Sequence, residues 1–287
     1  MSRWRLGLGL CVVLSVVSIV RAAEDVKITP DVVYGHKDGM ALTFDVFTPQ
    51  NNANGVGLLF MVSGGWYSQW APPDKILPMF KPMLDAGFTV FAVRHGSSPK
   101  FGIPDAVADV RRSVRYIRAN AATLGVDPNR LGVFGMSAGG HLSLMLGTAS
   151  DEGDPNAEDP ILRASDRVQA VVAFVAPTDL RVMVWKSEGH LPAYDKFPAL
   201  DLSVEEAAKF SPLLFVTPDD APALLLVGKQ DELVPIKHSE DIHAAFKEKS
   251  VASDLRVFDD SSHGFVPKDM EQAMKALVEW FQKQLLK

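Results

Sequence analysis

Gly135-Met136-Ser137-Ala138-Gly139 spells G-x-S-x-G, the spacing that lifts a serine hydroxyl out of a sharp strand-to-helix turn. The apolar run Leu131 to Phe134 leads into it, and Ala138 to Leu146 leads out as a helix. Bulky side chains at Gly135 or Gly139 would collide with the adjoining strand and helix, while the amides opening that helix face developing negative charge. A serine hydroxyl is a poor nucleophile until an imidazole takes its proton. Of the 7 histidines, His263 stands apart, on a loop reading Asp259-Asp260-Ser261-Ser262-His263-Gly264-Phe265 between a short strand and the C-terminal helix. His263 is the expected base. His141 is expected to pack or to lie at the surface, and His238 and His243 to be solvated on a charged helix. The base needs an acid to hold its tautomer. Asp231, directly after the apolar run Ala223 to Val227, is the expected one, with Glu232 and Asp179 as competing carboxylates.

A tetrahedral intermediate needs amide donors for its oxyanion. The run Val56 to Val62 ends in Ser63-Gly64-Gly65-Trp66-Tyr67, and glycines let backbone approach a ligand closely. The loop holding Gly64, Gly65 and Trp66 would supply one amide, at Gly65 or Trp66, and Ala138 the other. Trp66, Tyr67 and Trp70 on one side and Trp185 on the other could line the substrate wall, or pack neighbouring segments together.

The elements that must position these residues follow from periodicity. Val56 to Val62, Thr89 to Val93, Leu131 to Phe134, Val168 to Val175 and Ala223 to Val227 are continuously apolar, as strands covered on both faces are. Leu255 to Phe258 reads as a later, shorter strand, and the alternating Ala41 to Phe47 as an antiparallel edge strand. Val107, Val110, Val114, Ile117, Ala121 and Leu124 share one face of a long helix starting near Pro104; Met270, Met274, Leu277 and Phe281 do so on a C-terminal helix, as core packing. Strands alternating with helices imply a mostly parallel, doubly covered sheet with its site at the carboxyl ends of the strands. An irregular, proline-containing stretch at about 180–212, with Trp185, Tyr194 and Phe197, reads as a small cap over that site.

The chain has 287 residues, 47% of them apolar, and a formal net charge of −6. An acidic surface argues against a nucleic-acid partner. Arg3 and Arg5, the apolar run Leu6 to Val20 and the small residues Ala22 and Ala23 describe a secretory signal over 1–23, followed by one domain over 24–287. Its removal would leave 26 basic against 35 acidic residues, a net charge of −9. The single cysteine, Cys11, lies inside the signal, so the mature chain is expected to hold no disulfide, thiolate metal site or cysteine nucleophile. Secretion or periplasmic export is expected, with no stable membrane partner after cleavage.

The segments SGGW, GMSAGGH, GKQDELVP and SSHGF together resemble the esterase and lipase branch of the α/β-hydrolases, closest to the acetyl-esterase and feruloyl-esterase-like (BD-FAE-like) group, from about Tyr34 to Leu285. The order Ser137, Asp231, His263 is that fold's order. The resemblance implies a cofactor-independent serine carboxylesterase acting on small-molecule or carbohydrate (acetyl or feruloyl) esters through an acyl-enzyme. One departure is the glycine loop, which begins with Ser63 and two glycines where the group commonly has a histidine and three. Activity is expected to decline as His263 is protonated in mild acid, so a rate unchanged from about pH 5 to 8 would contradict this base. Two rivals share these residues: an exopeptidase resembling prolyl oligopeptidases, whose large propeller this chain has no room for, and a binding protein that kept the fold without the chemistry.

Overall fold

The computed structural model describes residues 25–287; the expected signal segment lies outside them. Eight strands form one sheet: β1 (Val26–Lys37), β2 (Met40–Pro49), β3 (Gly57–Met61), β4 (Thr89–Val93), β5 (Leu131–Met136), β6 (Ala170–Phe174), β7 (Ala223–Gly228) and β8 (Ser253–Phe258). Their spatial order is β1-β2-β4-β3-β5-β6-β7-β8, with β1–β2 and β2–β4 antiparallel and every later pairing parallel.

The expected antiparallel strand exists, but it is not the edge. β1 covers it, pairing from Val26↔Pro49 to Lys37↔Met40. Pro30 and two register shifts interrupt the alternation of β1, which is why its sequence does not read as a strand.

Helices cover both faces. α1 (Pro73–Asp85) and α7 (Pro267–Leu285) pack together on one face, with Phe80, Met83, Leu277 and Phe281 buried against Leu58, Val90 and Phe134. α2 (Ile103–Ala119) and α4 (Ala138–Thr148) pack on the other, with Val110, Val114, Leu142 and Leu146 against Leu59, Phe91 and Val133. Successive residues Leu58 and Leu59, or Val133 and Phe134, thus enter opposite layers, the period of two of a pleated strand. The helix expected to run from near Pro104 to Leu124 stops at Ala119. Asn120 leaves the helical conformation, and a short helix α3 (Ala121–Leu124) ends at Gly125 with φ of 70°. On α7 the apolar stripe divides: Leu277 and Phe281 are buried, whereas Met270 and Met274 line a cavity of about 750 Å³ with Pro78, Met136 and Val278.

Among the described residues two further α-helices follow, α5 (Val204–Ala208) and α6 (Lys237–Glu248). Strand order reverses beside β3: β4 lies on one side of it and β5 on the other. Open α/β sheets bind ligands at such a reversal, outside the carboxyl ends of the strands. The segments following β3 and β5 are the glycine loop and the serine turn.

Candidate active site

Ser137 sits between β5 and α4 with φ of 56° and ψ of −121°, a strained left-handed residue on a sharp turn. The turn requires its glycines. A Cβ on Gly135 would lie 2.4 Å from the Gly139 carbonyl carbon, and one on Gly139 would lie 2.5 Å from the Met61 oxygen. Both obstacles are backbone and cannot swing aside.

His263 lies between β8 and α7, on the loop where the sequence placed it. Its Nε2 is 2.9 Å from Ser137 Oγ, and its Nδ1 is 2.8 Å from Asp231 Oδ2. The Asp231 side chain is fully buried, and its other oxygen accepts the amides of Leu233 at 2.9 Å and Val234 at 2.8 Å. Those two bonds engage Oδ1 and hold the carboxylate with Oδ2 turned to the imidazole. A carboxylate only accepts, so Nδ1 carries the proton and Nε2 is left to take one from the serine. Neither competing carboxylate bonds to His263. Glu232 is exposed, and Asp179 caps the turn at Leu180–Val182 and pairs with Arg181 at 2.7 Å, an arrangement that, against the opposing effect of burial, holds its carboxyl below the ordinary range.

Among the described residues, the amides of Gly65, Trp66 and Ala138 have no acceptor within the protein. Gly64 differs: its amide donates to the Tyr67 carbonyl at 3.0 Å while Tyr67 donates back, so Gly64 closes the turn and has no donor to offer. The loop is tied to the serine turn, because Gly139 donates to the Ser63 carbonyl at 3.2 Å. Ser63 Oγ lies 2.9 Å from His95 Nε2, whose other nitrogen is 2.7 Å from the Gly96 carbonyl. Burial pushes the His95 imidazole pKa down, which suits an acceptor for the serine hydroxyl.

The expected wall residues separate. Tyr67 is 54% exposed and Trp185 37%, with Trp70 equally open, whereas the Trp66 side chain is 3% exposed and turned inward. Trp66 cannot line a solvent-facing wall. The stretch 180–212 runs through short 3-10 turns and α5, and its Phe197 reaches the glycine loop. Phe197 packs on Gly65, where a Cβ would meet its ring at 2.5 Å, and burial with the Asp231 charge pushes the Tyr194 phenol up to about 12.

Two histidines depart from expectation. His238 is buried, not solvated: its Nδ1 accepts the Thr178 amide at 3.2 Å, and burial lowers its pKa. Its helix turns that face onto the segment after β6, which a charged local sequence does not reveal. His243 is half-buried against Ser253 Oγ at 2.9 Å. His141 packs, one of the two outcomes expected of it: it is wholly buried on α4, where every residue from Ala138 to Thr148 is buried.

A mostly parallel sheet covered on both faces, with a serine turn after β5, a carboxylate after β7 and a histidine after β8, defines an α/β-hydrolase. The BD-FAE family model matches residues 44–246, and the chain belongs to that family; the Dienelactone hydrolase family model matches residues 210–285. The chain is 26% identical to the Mycobacterium tuberculosis protein Esterase LipQ over 230 residues, 78% of this chain and 54% of that one. It is 26% identical to the Pseudomonas putida Ethyl acetate hydrolase over 285 residues, 93% of this chain and 86% of that one. Among solved structures, a truncated carbohydrate esterase from gut microbiota superposes with a TM-score of 0.77 at 25% identity, covering 91% of this chain and 97% of that one. The chain spans about half the length of the mycobacterial esterase relatives it matches, 54%, 52% and 46% of three of them.

Proposed function

We propose that this protein is an exported carboxylic-ester hydrolase in which Ser137 is the nucleophile, His263 the base and Asp231 the acid that orients it, acting on short-chain acyl or carbohydrate-linked acetyl or feruloyl esters. One observation carries the reading: the unbroken line Ser137 Oγ, His263 Nε2, His263 Nδ1, Asp231 Oδ2, with contacts of 2.9 and 2.8 Å, beside the unpartnered amides of Gly65, Trp66 and Ala138. His263 takes the serine proton as Oγ attacks the ester carbonyl carbon. The carbonyl electrons move onto oxygen, where these amides stabilise the oxyanion. Collapse breaks the bond to the alkoxy oxygen, which leaves as the alcohol with the proton from His263. Water, deprotonated by the same imidazole, then attacks the acyl-enzyme, releases the acid and returns the proton to Ser137.

Names of relatives and a structural neighbour, an ethyl acetate hydrolase and a carbohydrate esterase, support short acyl groups and sugar alcohols. Exposed Tyr67, Trp70 and Trp185 would offer faces on which a sugar or phenolic acyl group can stack. Export follows from the segment over 1–23, with the mature chain acting as a single domain free of membrane and nucleic-acid partners. The test is hydrolysis of p-nitrophenyl esters from acetyl to decanoyl by the mature protein and by Ser137→Ala. Turnover of the short esters, falling to near background in the variant, is the expected result; an inactive wild type, or a fully active variant, overturns the proposal.

A further inference from the structure

Trp66 holds a conformation its own backbone resists. Its φ is 59°, directly after Gly65 at 57°, so two consecutive residues are left-handed and only the first is a glycine. A bulky residue stays there only where its surroundings over-determine it. The side chain supplies that restraint: the indole Nε1–H donates to His141 Nδ1 at 3.1 Å, and the two rings meet edge to face with centroids 5.4 Å apart.

His141 is built to accept that bond. Its Nε2 lies 2.7 Å from the Phe210 carbonyl, which can only accept, so Nε2 carries the proton and Nδ1 is the bare acceptor. An indole N–H can only donate. Both ends therefore demand one tautomer. Burial, opposed by the Phe210 hydrogen bond, pushes the imidazole pKa down to about 4, so the ring is neutral at ordinary working pH. The His141 amide also donates to the Ser137 carbonyl at 2.9 Å. One buried side chain thus joins the glycine loop, the nucleophile helix and the last turn of the 180–212 stretch.

We infer that His141 is a positioning residue for ester cleavage: by accepting the Trp66 indole proton it holds the Gly65 and Trp66 amides aimed at the forming oxyanion, and it ties that aim to the covering stretch through Phe210. The inference rests on the ester-hydrolase reading above.

Three single variants dissect it. Trp66→Phe removes the donor and keeps most of the ring. His141→Asn keeps an acceptor near the Nδ1 position, whereas His141→Gln keeps a donor near Nε2 and lacks that acceptor. With p-nitrophenyl acetate, and sites counted by fluorophosphonate titration, Trp66→Phe and His141→Gln should lower kcat about ten- to a hundredfold with KM within about twofold. The double variant should be no slower than either single one, and His141→Asn should stay within about threefold of wild type. Affinity for a boronic acid, which forms a tetrahedral adduct on the serine, should fall in step with kcat/KM. In nitrogen-edited NMR the Trp66 indole proton should exchange slowly in wild type and His141→Asn, and fast in His141→Gln. A wild type that cleaves no ester overturns the ester-hydrolase reading and this role with it. An active wild type whose Trp66→Phe and His141→Gln variants keep full kcat, or whose His141→Asn and His141→Gln variants lose it equally, overturns the role alone.

Discussion

Gly65→Ala perturbs the site at one atom. The position has φ of 57°, and a Cβ there would lie 2.5 and 2.7 Å from the Phe197 ring. An L-residue in the left-handed region costs about 1–2 kcal/mol. Forcing the methyl against an aromatic ring adds an overpacking cost of about 1–3 kcal/mol, since the ring must rotate or the loop must retreat. The expected loss of stability is therefore about 2–5 kcal/mol. If the loop yields, the Gly65 and Trp66 amides shift by a fraction of an ångström or more, and kcat/KM falls by up to about a hundredfold. Urea unfolding and p-nitrophenyl butyrate hydrolysis would be compared in wild type, Gly65→Ala, Phe197→Ala and the double variant. Phe197→Ala removes the obstacle and leaves the backbone strain. The double variant should then recover most of the activity and be less destabilised than the sum of the singles by about 1–3 kcal/mol, the clash component alone. Additivity within about 0.5 kcal/mol, with activity still depressed, would refute the argument that Phe197 sets this loop.

Asp231→Asn should fold and lose about 10⁴-fold in kcat, because its amide N–H₂ would face His263 Nδ1 and force the proton onto Nε2, while exposed Glu232→Gln should change kcat by less than about twofold. Gly135→Ala, whose Cβ meets the Gly139 carbonyl carbon at 2.4 Å, should cost more than about a hundredfold in kcat/KM or prevent folding, as measured by activity and circular dichroism. The depressed pKa of buried His141, about 4, makes stability acid-sensitive. The unfolded chain binds this proton as pH falls below about 6.5 and the native protein only near 4, so stability is full above 6.5, is lost progressively down to 4 and is level below. The stability difference between wild type and His141→Gln should therefore shift by about 3 kcal/mol in favour of the variant between pH 7 and pH 4. Urea titrations at both pH values check this, and an unchanged difference refutes it.

What the sequence determined by itself is the set of local patterns tied to the chain's own steric rules. Five continuously apolar runs mark strands covered on both faces, and each lies within about two residues of an observed strand at either end. The G-x-S-x-G turn is legible because only glycine fits where Gly135 and Gly139 meet backbone, and Asp231 and His263 because each follows a strand of the parallel sheet. Other elements were hidden where the local signal conflicts with the outcome. β1 contains a proline and two register shifts that break its alternation, and α1 carries Pro78 and Pro82 inside the helix, residues that read as helix breakers. Contacts between segments far apart in sequence were decided by the tertiary structure alone. The Trp66 indole turns inward because His141, 75 residues on, offers a bare nitrogen, and His238 is buried because the segment after β6 closes over it. Gly65 is needed because Phe197 rests on it, and the Gly64 amide is occupied because the loop closes on Tyr67. A pattern of residue types states which groups can donate, accept or attack. Which partner each one meets depends on packing, and packing exists only once the sheet has brought distant segments to one edge.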